Sequence, residues 1–126
     1  MGRSVLKALL DTNVVIDLLS GKIEADEEAA RYSWLGISRI TWMEVLVGTR
    51  DEEDFGRVAD FLRRFSIVEL DDEVARRAIE LRQQYRLKLP DAIIWASARM
   101  EKGLLVTRNS NDFPARDPGI RVPYKL

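Results

Sequence analysis

Three carboxylates in this sequence stand against apolar neighbours. Asp11 ends the run Ala8-Leu9-Leu10 with no turn residue before it. Glu44 lies inside "TWMEVLV", and Asp91 follows Pro90 and leads straight into "AIIWASA". Each has an ordinary structural use. Asp11 can accept backbone N–H groups of a following helix, Glu44 can complete a capping box with Thr41, and Asp91 can favour a helix N-terminus. Most other acids are of that ordinary kind: Asp51-Glu52-Glu53-Asp54 and Asp71-Asp72-Glu73 fall at helix starts, where they oppose the dipole and stay hydrated.

The unusual acids have a chemical meaning if the fold gathers them, together with Asp112 in the polar turn "RNSNDF". Two unit charges ~4 Å apart cost on the order of 4 kcal/mol at an effective dielectric of about 20. A carboxylate cluster therefore protonates, recruits bases or binds a cation. The chain contains no histidine and no cysteine. That removes imidazole acid–base chemistry, most zinc sites, thiolate nucleophiles and disulfides. A divalent cation with oxygen ligands is the simplest resolution, and Mg²⁺ or Mn²⁺ suits a partly hydrated carboxylate site. Such an ion activates water at neutral pH and neutralises charge developing on a phosphodiester.

The elements that must bring these residues together alternate between strand and helix. Val5 to Leu10 reads as a buried strand, and Thr12 or Asn13 caps a helix carrying Val14, Val15, Leu18 and Leu19, with Gly21 as its stop. Glu24 to Trp34 is charged and helix-prone, and Leu35 to Ser38 is a second strand. Thr41 caps a helix that runs through Glu44 to Val47 and ends at Gly48. Asp51 to Phe65 is an amphipathic helix, Ile67 to Leu70 a strand, and Asp71 to Tyr85 a further amphipathic helix. Pro90 opens a helix that reaches Met100, Gly103 ends it, and Leu104 to Thr107 is a strand. Ile120 to Val122 is a last, edge strand. This order predicts an α/β fold with a central parallel sheet of four to five short strands flanked by helices, and a site beyond the carboxyl ends of those strands.

With 126 residues and no internal repeat or linker, one domain over 1–126 is expected. No apolar run has the length of a membrane span, no signal-peptide pattern opens the chain, and cysteine is absent, so a cytoplasmic protein is the expectation. Twenty basic and 21 acidic side chains give a net charge of −1, so nucleic acid would have to be met by a local basic patch.

Three stretches, "LLDTNVVIDLL", "ISRITWMEVLVG" and "LPDAIIWASARMEKGLLVTRNSNDF", resemble in order the PIN-domain ribonucleases, specifically the VapC-type toxins of toxin–antitoxin pairs. The resemblance implies a PIN-like fold and Mg²⁺- or Mn²⁺-dependent RNA hydrolysis leaving a 5′-phosphate and a 3′-hydroxyl. It also implies a homodimer held by a cognate VapB-like antitoxin. Carried over by motif, Asp11, Glu44 and Asp91 are the metal-binding acids. The fourth position falls in "TRNSNDF", where Asn109 stands at a place some relatives fill with an acid and Asp112 is the later acid. Asn13 and Thr107 match polar positions that orient ligands or water, with Thr41 and Asn109 as further polar neighbours. Asp17, one helical turn past Asn13, is read as a solvated acid, with an outer supporting role behind the site as the alternative. Arg39, Arg50, Lys88 and Arg108 flank the motifs and are candidates to meet RNA phosphates, with a solvated surface role as the plainer reading of each. Trp34, Trp42 and Trp95 stand in apolar patterns and are read as core or dimer-interface residues. "RRFSIVEL" and "AIELRQQYRL" are read as ordinary packing faces, with an antitoxin helix as the alternative use.

Rival readings lack residues they need. An aspartyl phosphatase of the haloacid-dehalogenase type wants an acid where Asn13 stands. A response-regulator receiver wants a paired early acid, a mid-chain phosphoacceptor after a strand and a late lysine, and no phosphate-binding glycine loop is present. A non-catalytic binding module on the same fold would be marked by a lost acid, and Asn109 is the only such concession.

Overall fold

A computed structural model describes residues 6–126. The first strand, β1, spans Lys7–Leu10; the expected start at Val5 lies outside the described residues. Helix α1 (Thr12–Leu19) and helix α2 (Ile23–Ala29) follow, then strand β2 (Trp34–Ser38), helix α3 (Arg39–Val47) and helix α4 (Glu52–Leu62). Strand β3 (Ser66–Val68), helix α5 (Asp72–Tyr85), helix α6 (Leu89–Met100), and strands β4 (Leu104–Val106) and β5 (Ile120–Arg121) complete the order. The sheet runs β3-β2-β1-β4-β5, and every neighbouring pair is parallel. This is the five-stranded α/β architecture that the alternation predicts, with β5 on an edge.

The apolar runs are continuous in sequence yet divide cleanly between faces, because side chains alternate along a strand. Ala8, Leu10, Ile37 and Val106 join Val14, Val15, Leu18, Val45, Leu46, Val58 and Leu62 in one core under α1, α3 and α4. Leu9 and Leu105 join Val74, Ala78, Leu81 and the α6 side chains in a second core on the other face. Both faces are covered, as a parallel sheet requires. Helix α6 is buried continuously from Ala92 to Ala98, which explains its almost wholly apolar sequence. Its central residue, Trp95, meets Tyr85 at 4.9 Å and Phe113 at 6.3 Å between ring centroids. Trp34 and Trp42 are only half-buried, beside Lys7 and Arg39. Phe65, Ala78, Leu81 and Leu87 turn inward, while Leu70 and Ile79 of the same two stretches stay exposed.

Two caps differ from expectation for a common reason: the residue nearest the strand takes the cap. Asp11 caps α1, its side chain accepting from the Thr12 N–H, in place of Thr12 or Asn13. Ser38 caps α3, which begins at Arg39, so Thr41 lies inside the helix and no capping box with Glu44 forms. Asp51 and Asp71 stand at helix starts as expected, capping α4 and α5 through bonds to the N–H groups of Asp54 and Val74. Among the described residues no helix is long and apolar enough to cross a membrane.

Trp95 is 1% exposed and joins α5, α6 and the segment around Phe113. Trp95→Ala is expected to destabilise the fold by about 3–5 kcal/mol, the range for emptying a large aromatic site, read from the shift in urea denaturation midpoint.

Candidate metal and RNA site

The site forms at the carboxyl edge of the sheet. Asp11 stands one residue past β1, Thr41 and Glu44 lie in the helix after β2, and Thr107 stands one residue past β4. Helix α6 leads back into β4 and runs against it, which carries its N-terminal Asp91 to the same edge. The loop after β4 adds Asn109 and Asp112. The register places Leu10 opposite Val106, and the Asp11 N–H donates to the Val106 carbonyl at 2.9 Å. Asp11 and Thr107 are thereby neighbours across the central strand pair.

Asp11 is 5% exposed and fully engaged. Its Oδ1 accepts the Thr12 N–H at 2.8 Å, and its Oδ2 accepts the Thr107 hydroxyl at 2.7 Å and the Asn13 amide at 3.3 Å. Burial pushes its pKa up; the bonds from Thr107, Thr12 and Asn13 pull it down, and the charge of Glu44 pushes it up again. The expected orienting roles of Asn13 and Thr107 have their geometry here. Asn13 Oδ1 accepts the Arg108 N–H at 3.1 Å, which fixes the amide with its NH₂ towards Asp11.

Glu44 is exposed, and its Oε1 accepts the Thr12 hydroxyl at 2.6 Å. Thr12 and Thr41 oxygens are 3.0 Å apart. Thr12 has one hydroxyl proton and gives it to Glu44, so Thr41 donates to Thr12. Thr41 therefore serves Glu44 through a relay of hydroxyls and not through a capping box. Asn109 holds the other late acid: its NH₂ donates to Asp112 at 2.6 Å, its Oδ1 accepts the N–H groups of Asn111 and Asp112, and its own N–H donates to Thr107 Oγ1 at 2.9 Å.

Asp91 differs from these. No described residue donates a hydrogen bond to its carboxylate among the causes acting on it. Burial raises its pKa first, then the charges of Asp11, Asp112 and Glu44, with Lys88 opposing, to about 6. The four predicted acids thus feel one another at one edge. Among the described residues no three acids are drawn tightly enough together to hold an ion as they stand; Glu44 and Asp112 are turned to Thr12 and Asn109.

The basic residues divide. Lys88, exposed at the cap of α6, is the one close enough to lower Asp91's pKa. Arg39 is paired with Glu69 and stacked on Trp42, and Arg50 with Asp54. Arg108 forms a two-pronged pair with Asp17, Nε to Oδ2 at 2.6 Å and Nη2 to Oδ1 at 3.2 Å. Asp17 is not the solvated acid expected: it is 4% exposed, and it also accepts the Tyr124 hydroxyl at 2.8 Å. Thr12 is the residue that sequence reasoning missed, and Asp17 is one that it read first as solvated. The signal used for Glu44, a charge inside an apolar helix pattern, is equally present in "VVIDLL" and marks Asp17.

A sequence model of the PIN domain matches residues 8–117, and this chain belongs to the PIN domain family. Within it, the chain is 33% identical over 115 residues to Ribonuclease VapC51 of Mycobacterium tuberculosis, covering 86% of this chain and 83% of that protein. Among solved structures it is similar to a chain of a toxin–antitoxin complex from Klebsiella pneumoniae, with 44% identity, 94% of this chain and 99% of that one covered, and a TM-score of 0.87. A chain of the DNA-bound VapBC from Salmonella typhimurium gives 28% identity, coverage of 92% and 96%, and a TM-score of 0.76.

The raised pKa of Asp91 has a definite sign for stability. The folded state holds the proton more tightly than the unfolded state, so stability from this group is complete below about pH 4 and is lost as pH rises through about 6. In metal-free protein, Asp91→Asn is expected to be more stable than wild type at pH 7, by on the order of 1 kcal/mol after allowance for partial exposure. The difference should vanish at pH 4, as measured by urea unfolding in chelator at both pH values.

Proposed function

We propose that this chain is a metal-dependent endoribonuclease, the toxin of a toxin–antitoxin pair, that hydrolyses RNA phosphodiester bonds at the acid edge of its sheet. The observation that carries the reading is Asp91, whose pKa stands at about 6 because burial and three neighbouring acids act on it, against Lys88 alone. That is a site short of positive charge. The donor set fits Mg²⁺ or Mn²⁺: hard carboxylate oxygens, no imidazole and no thiolate. The name of the Mycobacterium relative, a ribonuclease, supports the activity. The Klebsiella complex, whose matching chain is covered almost entirely, supports the antitoxin partner.

In this reading Asp11, Asp91, Glu44 and Asp112 hold the ion directly or through water. A bound Mg²⁺ or Mn²⁺ would supply an activated water and offset charge on the scissile phosphate. Asn13 and Thr107 fix the rotamer of Asp11, Thr12 and Thr41 that of Glu44, and neutral Asn109 holds Asp112 without adding a charge. Lys88 is the basic group best placed to meet an RNA phosphate. The chain acts in the cytoplasm as a single domain and a homodimer. Beside Glu44, a surface groove lined by Ile40, Met43, Val47 and Pro90 leaves apolar side chains exposed, and a VapB-like antitoxin seated there would cover the acid.

The test uses purified chain freed of any partner. Wild type is expected to bind Mn²⁺ saturably and to cleave RNA in a reaction stopped by chelator and restored by Mg²⁺ or Mn²⁺. Asp91→Asn is expected to fold and to lose more than about 100-fold in cleavage rate, since removing mere outer partners of metal ligands already costs 10–100-fold. Cleavage by Asp91→Asn at the wild-type rate, or cleavage indifferent to chelator, would overturn the reading.

A further inference from the structure

Arg108 and Tyr124 converge on one buried carboxylate that the proposed chemistry does not use. Asp17 takes both prongs of the Arg108 guanidinium and the Tyr124 hydroxyl. A buried acid needs such partners, so the arrangement is a candidate for simple packing. Its connections argue for more. Arg108 directly follows Thr107, and its own N–H donates to Asn13 Oδ1. Asn13 and Thr107 are the two side chains that hold Asp11 Oδ2. The pair with Asp17 thus anchors the start of the β4 loop to α1, and two donors of the site hang from the anchored backbone. Behind Thr107 the same C-terminal segment acts again: the Thr107 N–H donates to the Arg121 carbonyl at 3.0 Å, and the Arg121 guanidinium is itself tethered to buried Glu28 at 2.6 and 2.9 Å.

We infer that Asp17, Arg108 and Tyr124 form a clamp that positions Asn13 and Thr107 on Asp11, so that Arg108 is a positioning residue of the metal site and not an RNA contact. The metal part of this inference rests on the proposed function; the clamp itself rests on the bonds above. The geometry of Arg108 distinguishes the two roles. A phosphate contact needs a charge, which lysine retains. The clamp needs the planar fork, which lysine lacks.

Asp17→Ala empties a buried site, frees both prongs of half-buried Arg108 and the Tyr124 hydroxyl together, and tests folding more than function. Arg108→Lys and Tyr124→Phe are the informative variants, because each keeps the charge or the ring and removes only part of the clamp. Two readouts on the full chain decide. The first is amide exchange by NMR. The N–H groups of Arg108 and Asn109, bonded to Asn13 Oδ1 and Thr107 Oγ1, should exchange faster in both variants while those of α5 and α6 keep wild-type rates. The second is Mn²⁺ affinity, expected to weaken about tenfold in Arg108→Lys, the low end for losing an outer partner of a metal ligand, and less in Tyr124→Phe. RNA cleavage should then fall in kcat with KM and its salt dependence unchanged.

Exchange at Arg108 and Asn109 that stays at the wild-type rate overturns the clamp. Faster exchange with unchanged Mn²⁺ affinity and kcat overturns its positioning role. A rise in KM with a changed salt dependence restores Arg108 as a phosphate contact. Wild-type protein that binds no Mn²⁺, even with a non-cleavable RNA present, defeats the proposed function instead, and amide exchange still decides the clamp.

Discussion

Placing an ionisable carboxyl at the end of the central strand, almost out of water, is the constraint on which the arrangement of this edge depends. A carboxylate so buried is costly unless several donors reach it. Asp11 finds three, and they come from three places: the backbone of Thr12, the side chain of Asn13 in α1, and Thr107 beyond β4. Only a fold in which β1 and β4 lie side by side and parallel sets Thr107 there. The sheet order and the state of one side chain are in that sense a single fact. The flanking cores, one on each face of β1, keep the strand pair rigid enough for bonds of that length to persist.

Asp91 shows the opposite treatment. It sits at the start of the most buried helix, and among the described residues neither a hydrogen bond nor an arginine offsets its neighbours. Local consistency is broken at this one point while caps, strands and cores agree with one another elsewhere. Conflicts of that kind are expected where a chain keeps a site at some expense of stability.

Much of this was legible in the sequence, for physical reasons. Buried parallel strands are apolar throughout and bounded by polar residues, so β1, β2 and β4 were visible, and helices carrying Val14, Val15 and Leu18 or Val74, Ala78 and Leu81 declared themselves by spacing. Asp11, Glu44 and Asp91 stood out because a charge amid apolar residues demands a reason. What stayed hidden was partnership over distance. Thr41 and Glu44 are three apart, a spacing that serves a capping box and equally the interior of a helix. The decision fell to Ser38, a cap residue nearer the strand. Asp17 looked like a solvated acid because its partners lie 91 and 107 residues further on, and no local pattern announces them. Arg108 reads as a solvated base or an RNA contact for the same reason.

The anchoring of Thr107 to Arg121 has a consequence for the order of assembly. Every acid at the edge precedes that segment in the chain. A polypeptide made from its N-terminus therefore exposes all four acids before it contains Arg121, whose carbonyl holds Thr107, and Tyr124, whose hydroxyl holds Asp17. Strand β5 is also an edge strand, joined to the sheet through β4 alone. The geometry around Asp11 is thus completed late, by the short strand that closes the sheet. A growing chain carries the groups for its chemistry some time before it can hold them still.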